Sequence, residues 1–264
     1  MTSDERMAIT TSARADEALC RRATTLACEL NCAYLPRPEG PLDDAISAQR
    51  LAALVVVGRF DIVVHTPHAQ LRHHPNAAVL RVVNMLRGRS DTLVDLAQLA
   101  PGDALLDCTC GIGSDAIAVA HAVGATGRVQ ALEASPLLAM LARCGMQSYR
   151  HPTHHAVTEA MRRVQVETAC YRTMLPTLAD RSFDVVYFDP MFSHTVAASN
   201  GLDVVRSFAR QGLPEPRDID HAQRVARRCV LMKDGALGHA LEALGFATVK
   251  RNRRFCYGRI DCTD

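Results

Sequence analysis

Residues 105–116 read LLDCTCGIGSDA: an apolar run that ends in an acid, crosses two cysteines and opens into a glycine turn. The apolar run fits a buried strand, ALLDCTC, and the residues after the turn, SDAIAVAHAV, fit a helix. A glycine turn between strand and helix has three candidate uses. It cradles a phosphate, it holds a metal through the cysteines, or it seats a cofactor without phosphate.

Working outward, the same alternation continues. RVQALEA, VQVETA, FDVVYFDP and VARRCVLMK read as strands, PLLAMLARCGMQSY and GALGHALEALGF as helices, and ATVKRNRRFCYGRID as a closing hairpin. Strands alternating with helices predict an α/β fold with a mostly parallel, Rossmann-like sheet and an antiparallel hairpin strand at its C-terminal end. Upstream, residues 1–75 read as a small α/β unit. It has a short strand, a helix over about residues 15–30 with apolar positions three and four apart, the strand CAYLPR, and two strands joined at Gly58-Arg59. Helices then run from Pro75-Asn76 to Gly88 and over DTLVDLAQL. The division is a small N-terminal unit, 1–75, with a substrate-binding or lid role, and a larger domain, 76–264.

With 48% hydrophobic and 22% charged residues the composition is that of a soluble globular chain, and a net charge of +2 identifies no partner. The ten cysteines form no CxxC pair and sit mostly in apolar runs, which favours buried thiols in a cytoplasmic protein over disulfides or a metal. The polar, acid-bearing N-terminus is unlike a signal peptide, and no apolar run is long enough to span a membrane.

Gly111, Gly113 and Ala116 satisfy G-x-G-x-x-G/A, and Glu133 follows at the end of the next strand. That spacing fits a dinucleotide site, with pyrophosphate at the turn and the acid on ribose hydroxyls. Asp107 at the strand tip and Asp115 in the first helical turn tip the balance. Carboxylates oppose a doubly anionic pyrophosphate but suit S-adenosylmethionine, which carries an ammonium and a sulfonium and no phosphate. Asp115 is equally accounted for as a helix N-terminal acid favoured by the dipole. Cys108 and Cys110 alternate about Thr109 and read as packing residues.

A second motif, SFDVVYFDPMFSH (182–194), delivers Asp189 from a buried strand to the sheet's carboxyl edge, where open α/β folds bind ligands. An acid, a proline carbonyl at Pro190 and an aromatic at Phe192 make a pocket for a planar amine, with the ring stacking and the oxygens accepting N–H protons.

Together, LLDCTCGIGSDA and DVVYFDPMF resemble the class I S-adenosylmethionine-dependent methyltransferases. The DPMFxH variant is similar to the RsmJ-type small-subunit ribosomal RNA guanine-N2 methyltransferases, as are ITTSARADEAL…YLPR and HHPNAAVLRVVNMLRG. The resemblance implies cofactor contacts at Asp107, Thr109, Gly111, Gly113, Asp115, Glu133, Ala134 and Asp189. It puts Asp189, Pro190, Met191 and Phe192 at the acceptor, with His194 as a pocket residue. It implies ribosomal RNA as partner. Two positions depart from it. Met191 stands where many amino methyltransferases carry a second proline. Cys170 stands near the usual adenine-binding acid, so either Glu167 substitutes from a neighbouring position or that contact is missing.

KRNRRFCYGR (250–259) interleaves basic and aromatic residues, with Arg251 and Arg253 expected on one strand face and Arg254 beside them as phosphate contacts. A solvated hairpin with core aromatics explains the same residues. HPTHH (151–155) reads as a solvated loop. Rival readings are methylation of a protein amide or small amine, a nicotinamide-dependent oxidoreductase, and a non-catalytic RNA-binding scaffold.

Overall fold

The strand and helix signals resolve into two sheets in the computed structural model, which describes residues 6–190 and 212–262. The first sheet has β1 (Met7–Thr11), β2 (Ala33–Tyr34), β3 (Ala53–Val57), β4 (Ile62–His65) and β5 (Gln70–Arg72) in the order β2-β1-β3-β4-β5. The first three are parallel, and β4 and β5 return antiparallel. Helix α1 (Glu17–Glu29) starts where Asp16 accepts the Leu19 N–H at 2.8 Å. It buries Ala23, Leu26 and Ala27, the spacing that the sequence displays. Helix α2 (Leu42–Ala48) leads into β3, whose ALVVV run is buried on both faces.

Helices α3 (Asn76–Leu86) and α4 (Thr92–Ala97) precede the second sheet. Its elements are β6 (Ala104–Asp107), α5 (Ser114–Val123), β7 (Arg128–Glu133), α6 (Pro136–Ser148), α7 (His155–Arg163), β8 (Val164–Thr168), α8 (Tyr171–Met174), β9 (Phe183–Phe188), α9 (Pro216–Val225), β10 (Ala226–Gly235), α10 (His239–Ala243), β11 (Ala247–Arg251) and β12 (Phe255–Asp261). The order is β11-β12-β10-β9-β6-β7-β8, with β6 to β10 parallel and β11 and β12 antiparallel. This is the Rossmann-like α/β sheet that the alternation predicts, with the small extra sheet beside it.

Several elements depart from expectation for local reasons. The HPTHH loop ends at His154, because His155 opens α7, whose Val157, Ala160 and Met161 bury one face at helical spacing. Helix α9 starts at Pro216 with the Glu215 N–H donated to Asp218 at 2.8 Å. Helix α10 is shorter than GALGHALEALGF suggests. Gly238 (φ +73°) and Gly245 (φ +78°) bound it, and Asp234 accepts the Ala240 and Leu241 N–H groups at 2.9 and 3.3 Å. The brief α2, β5 and α8 carry too few apolar residues for a periodic signal.

Helix α6 serves both sheets. Leu137, Leu138, Met140 and Leu141 pack into the core of the first sheet with Val55, Val57, Val64 and Leu71. Ala142 and Met146 face the core between α5 and the second sheet. Glu29 of α1 and Arg143 of α6 add an ion pair. Leu138→Ala therefore removes packing that joins the two sheets, and should lower the urea-unfolding free energy by about 2–5 kcal/mol. Leu80→Ala on the exposed side of α3 should change it by less than about 0.5 kcal/mol.

Candidate cofactor and acceptor site

Period-two alternation aims one set of side chains at a single crevice. Leu105, Val129, Ala131, Val185, Tyr187 and Leu231 face the α5 side of the second sheet. Continuing each strand by two residues brings Asp107, Glu133, Asp189 and Lys233 to the carboxyl edge on that side. The chain leaves β6 for β7 and β8 in one direction and adds β9 and β10 in the other, so the crevice opens between β6 and β9.

The glycine turn lies at the tip of β6. Gly111 (φ +55°) and Gly113 (φ +85°) adopt left-handed backbone that a side chain disfavours. A Cβ at Gly111 would meet only open space, whereas one at Gly113 would lie 1.9 Å from Met146 Cε. The Gly111 N–H donates to Glu133 Oε2 at 2.8 Å, and the Ser135 N–H donates to Oε1 at 2.8 Å. Burial raises the Glu133 carboxyl above its usual range, opposed by these donors and the Ala134 N–H. Asp107 accepts the Thr109 N–H at 3.0 Å and is buried. Burial pushes it well above the carboxylate range, and the charges of Asp115, Asp189 and Glu133 push the same way. Cys108 and Cys110 are buried in cores on opposite sides of the sheet, and all ten cysteines are free thiols.

Asp189 is joined to this turn through its backbone and to β10 through its side chain. Its N–H donates to Thr109 Oγ1 at 2.6 Å, and Lys233 Nζ donates to its Oδ2 at 2.6 Å. Burial holds the Asp189 carboxyl above the usual range, Lys233 pulls it down, and Asp115 adds to the rise. Lys233 is raised despite its own burial, because Asp189 and Asp115 stabilise its charge; its ammonium lies 5.3 Å from the Phe255 ring centroid. Pro190 is buried; Met191, Phe192 and His194 lie outside the described residues.

The acid in the first turn of α5 has a partner that the sequence did not suggest. Asp115 pairs with Arg81 of α3 and accepts the Tyr187 hydroxyl at 3.2 Å. Arg81 also holds Asp91, the N-cap of α4, through a two-pronged contact at 2.7 and 2.8 Å. Asp115 is therefore paired, whereas Asp107 and Glu133 have no cationic partner in hydrogen-bond range among the described residues. Among the described residues, the acids at the crevice and behind it (Asp91, Asp107, Asp115, Glu133 and Asp189) share two paired cations, Arg81 and Lys233. Such a lining fits a cationic ligand and opposes a diphosphate.

The remaining positions are less concentrated. Cys170 caps α8, half-buried, and Glu167 accepts a hydrogen bond from Gln130 at 2.9 Å. The expected shared face of Arg251 and Arg253 does not form, because β11 ends at Arg251 and Arg253 and Arg254 lie exposed in the following turn. Arg251 folds back to donate to the Ala236 and Leu237 carbonyls at 2.9 and 3.2 Å. Tyr257 is buried with Phe255 against it edge to face, so this pair packs in the core. The register of Gly235 with Phe255 nonetheless brings the Arg253–Arg254 turn to the carboxyl edge. Sequence reading missed Lys233, Arg81 and Tyr187. Lys233 had a signal, a charge that directly ends the apolar run CVLM.

Arg81→Met should strand Asp91 and Asp115 and cost about 3 kcal/mol in urea unfolding at pH 7. The Asp91 carboxyl is lowered by Arg81 and backbone donors against the effect of burial. Its share of that stability is present above the ordinary carboxylate range and is lost as pH falls from there through the lowered folded-state pKa, so the gap between variant and wild type should narrow in acid.

The sequence matches the family described as "Putative SAM-dependent methyltransferase" over residues 76–256. It is 38% identical over 255 residues to the uncharacterized protein YpiP of Bacillus subtilis (strain 168), covering 96% of this chain and 98% of that one. It is 32% identical over 157 residues to ribosomal RNA small subunit methyltransferase J of Halorhodospira halophila, an alignment that spans 58% of this chain and 51% of that protein. The fold resembles the crystal structure of the SAM-dependent methyltransferase NGO1261 from Neisseria gonorrhoeae, with a TM-score of 0.63 and 15% identity over 97% of this chain and 96% of that one. No helix among the described residues is long and apolar enough to cross a membrane. The chain belongs to the S-adenosylmethionine-dependent methyltransferase family, with S-adenosylmethionine as its cofactor.

Proposed function

We propose that the protein methylates an exocyclic amino nitrogen in the cytoplasm, with guanine N2 of small-subunit ribosomal RNA as the acceptor. The observation that carries this reading is Asp189 at the β6–β9 crevice, its carboxylate held by Lys233 and its backbone by Thr109. Relatives named ribosomal RNA small subunit methyltransferase J support the RNA assignment, although each alignment spans only about half of this chain and of the relative. Asp107, Thr109, Gly111, Gly113, Glu133 and Ala134 would hold the cofactor, with Cys170 beside the adenine and Asp115 acting through the paired network behind the turn. When bound, S-adenosylmethionine supplies an electrophilic methyl group on a sulfonium. Lys233 occupies one lone pair of Asp189 Oδ2 and leaves Oδ1 to accept an N–H of the amine, with the Pro190 carbonyl for the second. Fixing both protons aims the nitrogen, and such positioning contributes up to about 7–11 kcal/mol in favourable cases. The methylated amine loses its proton to water.

The acceptor base must leave its stack, at a cost of a few kcal/mol. Met191, Phe192 and His194 complete its pocket in this reading. Arg253 and Arg254, with Arg251 beside them, take backbone phosphates, and residues 1–75 bear on the RNA as a unit distinct from 76–264. The test is ribosomal RNA from a deletion strain. It should lack one N2-methylguanine and accept methyl groups from the purified protein, with Asp189→Asn slower by about a hundredfold or more. Methyl uptake into protein extract instead of RNA rejects the acceptor assignment.

The raised Asp107 carboxyl yields a second expectation. A bound cation favours its ionised form, so cofactor binding should release protons and tighten as pH rises. Calorimetry in buffers of different ionisation enthalpy measures that release, and Asp107→Asn should diminish it.

A further inference from the structure

The link between the first sheet and the glycine turn is direct. His73 follows β5, and its Nε2 lies 3.1 Å from the Ile112 carbonyl in the middle of that turn. Burial lowers the His73 pKa to about 4, so the ring is neutral at physiological pH. A carbonyl only accepts, so the one ring proton belongs on Nε2, which donates to Ile112. Nδ1 is buried and finds no partner among the described residues, so within them the ring's polar anchorage is that single bond. Space for the ring is made by Gly145 of α6, where a Cβ would lie 2.2 Å from His73 Cγ. The Ile112 side chain packs against the core of the first sheet, with one face of α6 built into the same core. At the start of α6, the Ser135 N–H holds the Glu133 carboxylate that also receives the Gly111 N–H.

We infer that the N-terminal unit is a fixed wall of the cofactor site, and that His73 is a positioning residue for cofactor binding, acting through the Ile112 carbonyl on the 110–113 turn. The unit holds the turn from one side through His73 and Ile112. Through α6 it also braces the end of β7, where Glu133 bridges to Gly111. A lid would be free to leave the crevice. Here the contacts run into the hydrophobic core, and removing the unit would expose one face of α6.

The inference rests on the assignment of the glycine turn to the cofactor, and the experiment separates the two. Calorimetric titration with S-adenosylhomocysteine, alongside thermal unfolding, compares His73→Phe, His73→Gln, Ile112→Ala and Glu133→Gln with wild type. His73→Phe keeps a ring over Gly145 and loses the donor. It should weaken binding by about tenfold, the scale of one net hydrogen bond. His73→Gln restores a donor and should recover most of that loss. In methyl-transfer assays the KM for S-adenosylmethionine should rise while kcat stays within about twofold. If His73→Phe does not fold, Ile112→Ala decides by the same readout, with weaker binding expected. Wild-type affinity in folded His73→Phe, or lowered thermal stability with unchanged affinity, overturns the positioning role. Wild-type affinity in Glu133→Gln overturns the site assignment itself.

Discussion

Crowded negative charge at the ends of neighbouring parallel strands is the constraint around which the rest is arranged. Asp107 closes β6, Glu133 closes β7 and Asp189 follows β9, with Asp115 at the start of α5 behind them. Left unanswered, that cluster would oppose the close approach of strands on which the sheet depends. Each acid is answered differently. Lys233 meets Asp189, Arg81 meets Asp115, and backbone N–H groups meet Glu133. Asp107 receives one backbone N–H and stays buried.

The second organising feature is that one helix belongs to two cores. Helix α6 presents leucines to the first sheet and Ala142 and Met146 to the second, directly after the strand that ends in Glu133. The first unit thus supplies part of the hydrophobic support beneath the glycine turn. Gly145 and Gly113 make this arrangement possible in different ways. The first leaves room for an imidazole, and the second permits a left-handed turn beside Met146.

The strand ends were legible because alternation and apolar runs are local signals. ALLD, RVQALE and FDVVYFD announce buried strands that finish in acids, and the glycine spacing announces the turn. The position of Asp107 at a strand tip was legible in the same way. The histidine-rich segment misled, since α7 starts inside it. The basic hairpin forms as the sequence suggests, but Arg251 is bound to nearby carbonyls and Tyr257 is in the core.

The chain by itself determined the order of elements, the parallel sheet and the acids that rim its crevice, because the period of side-chain direction is written in adjacent residues. The tertiary structure alone decided which charge each acid meets. Asp189 and Lys233 are 44 positions apart, Arg81 and Asp115 34, and His73 and Ile112 39. Those pairings depend on which strands become neighbours and how deeply helices pack between them, and no local pattern records a contact made only when distant segments are buried together.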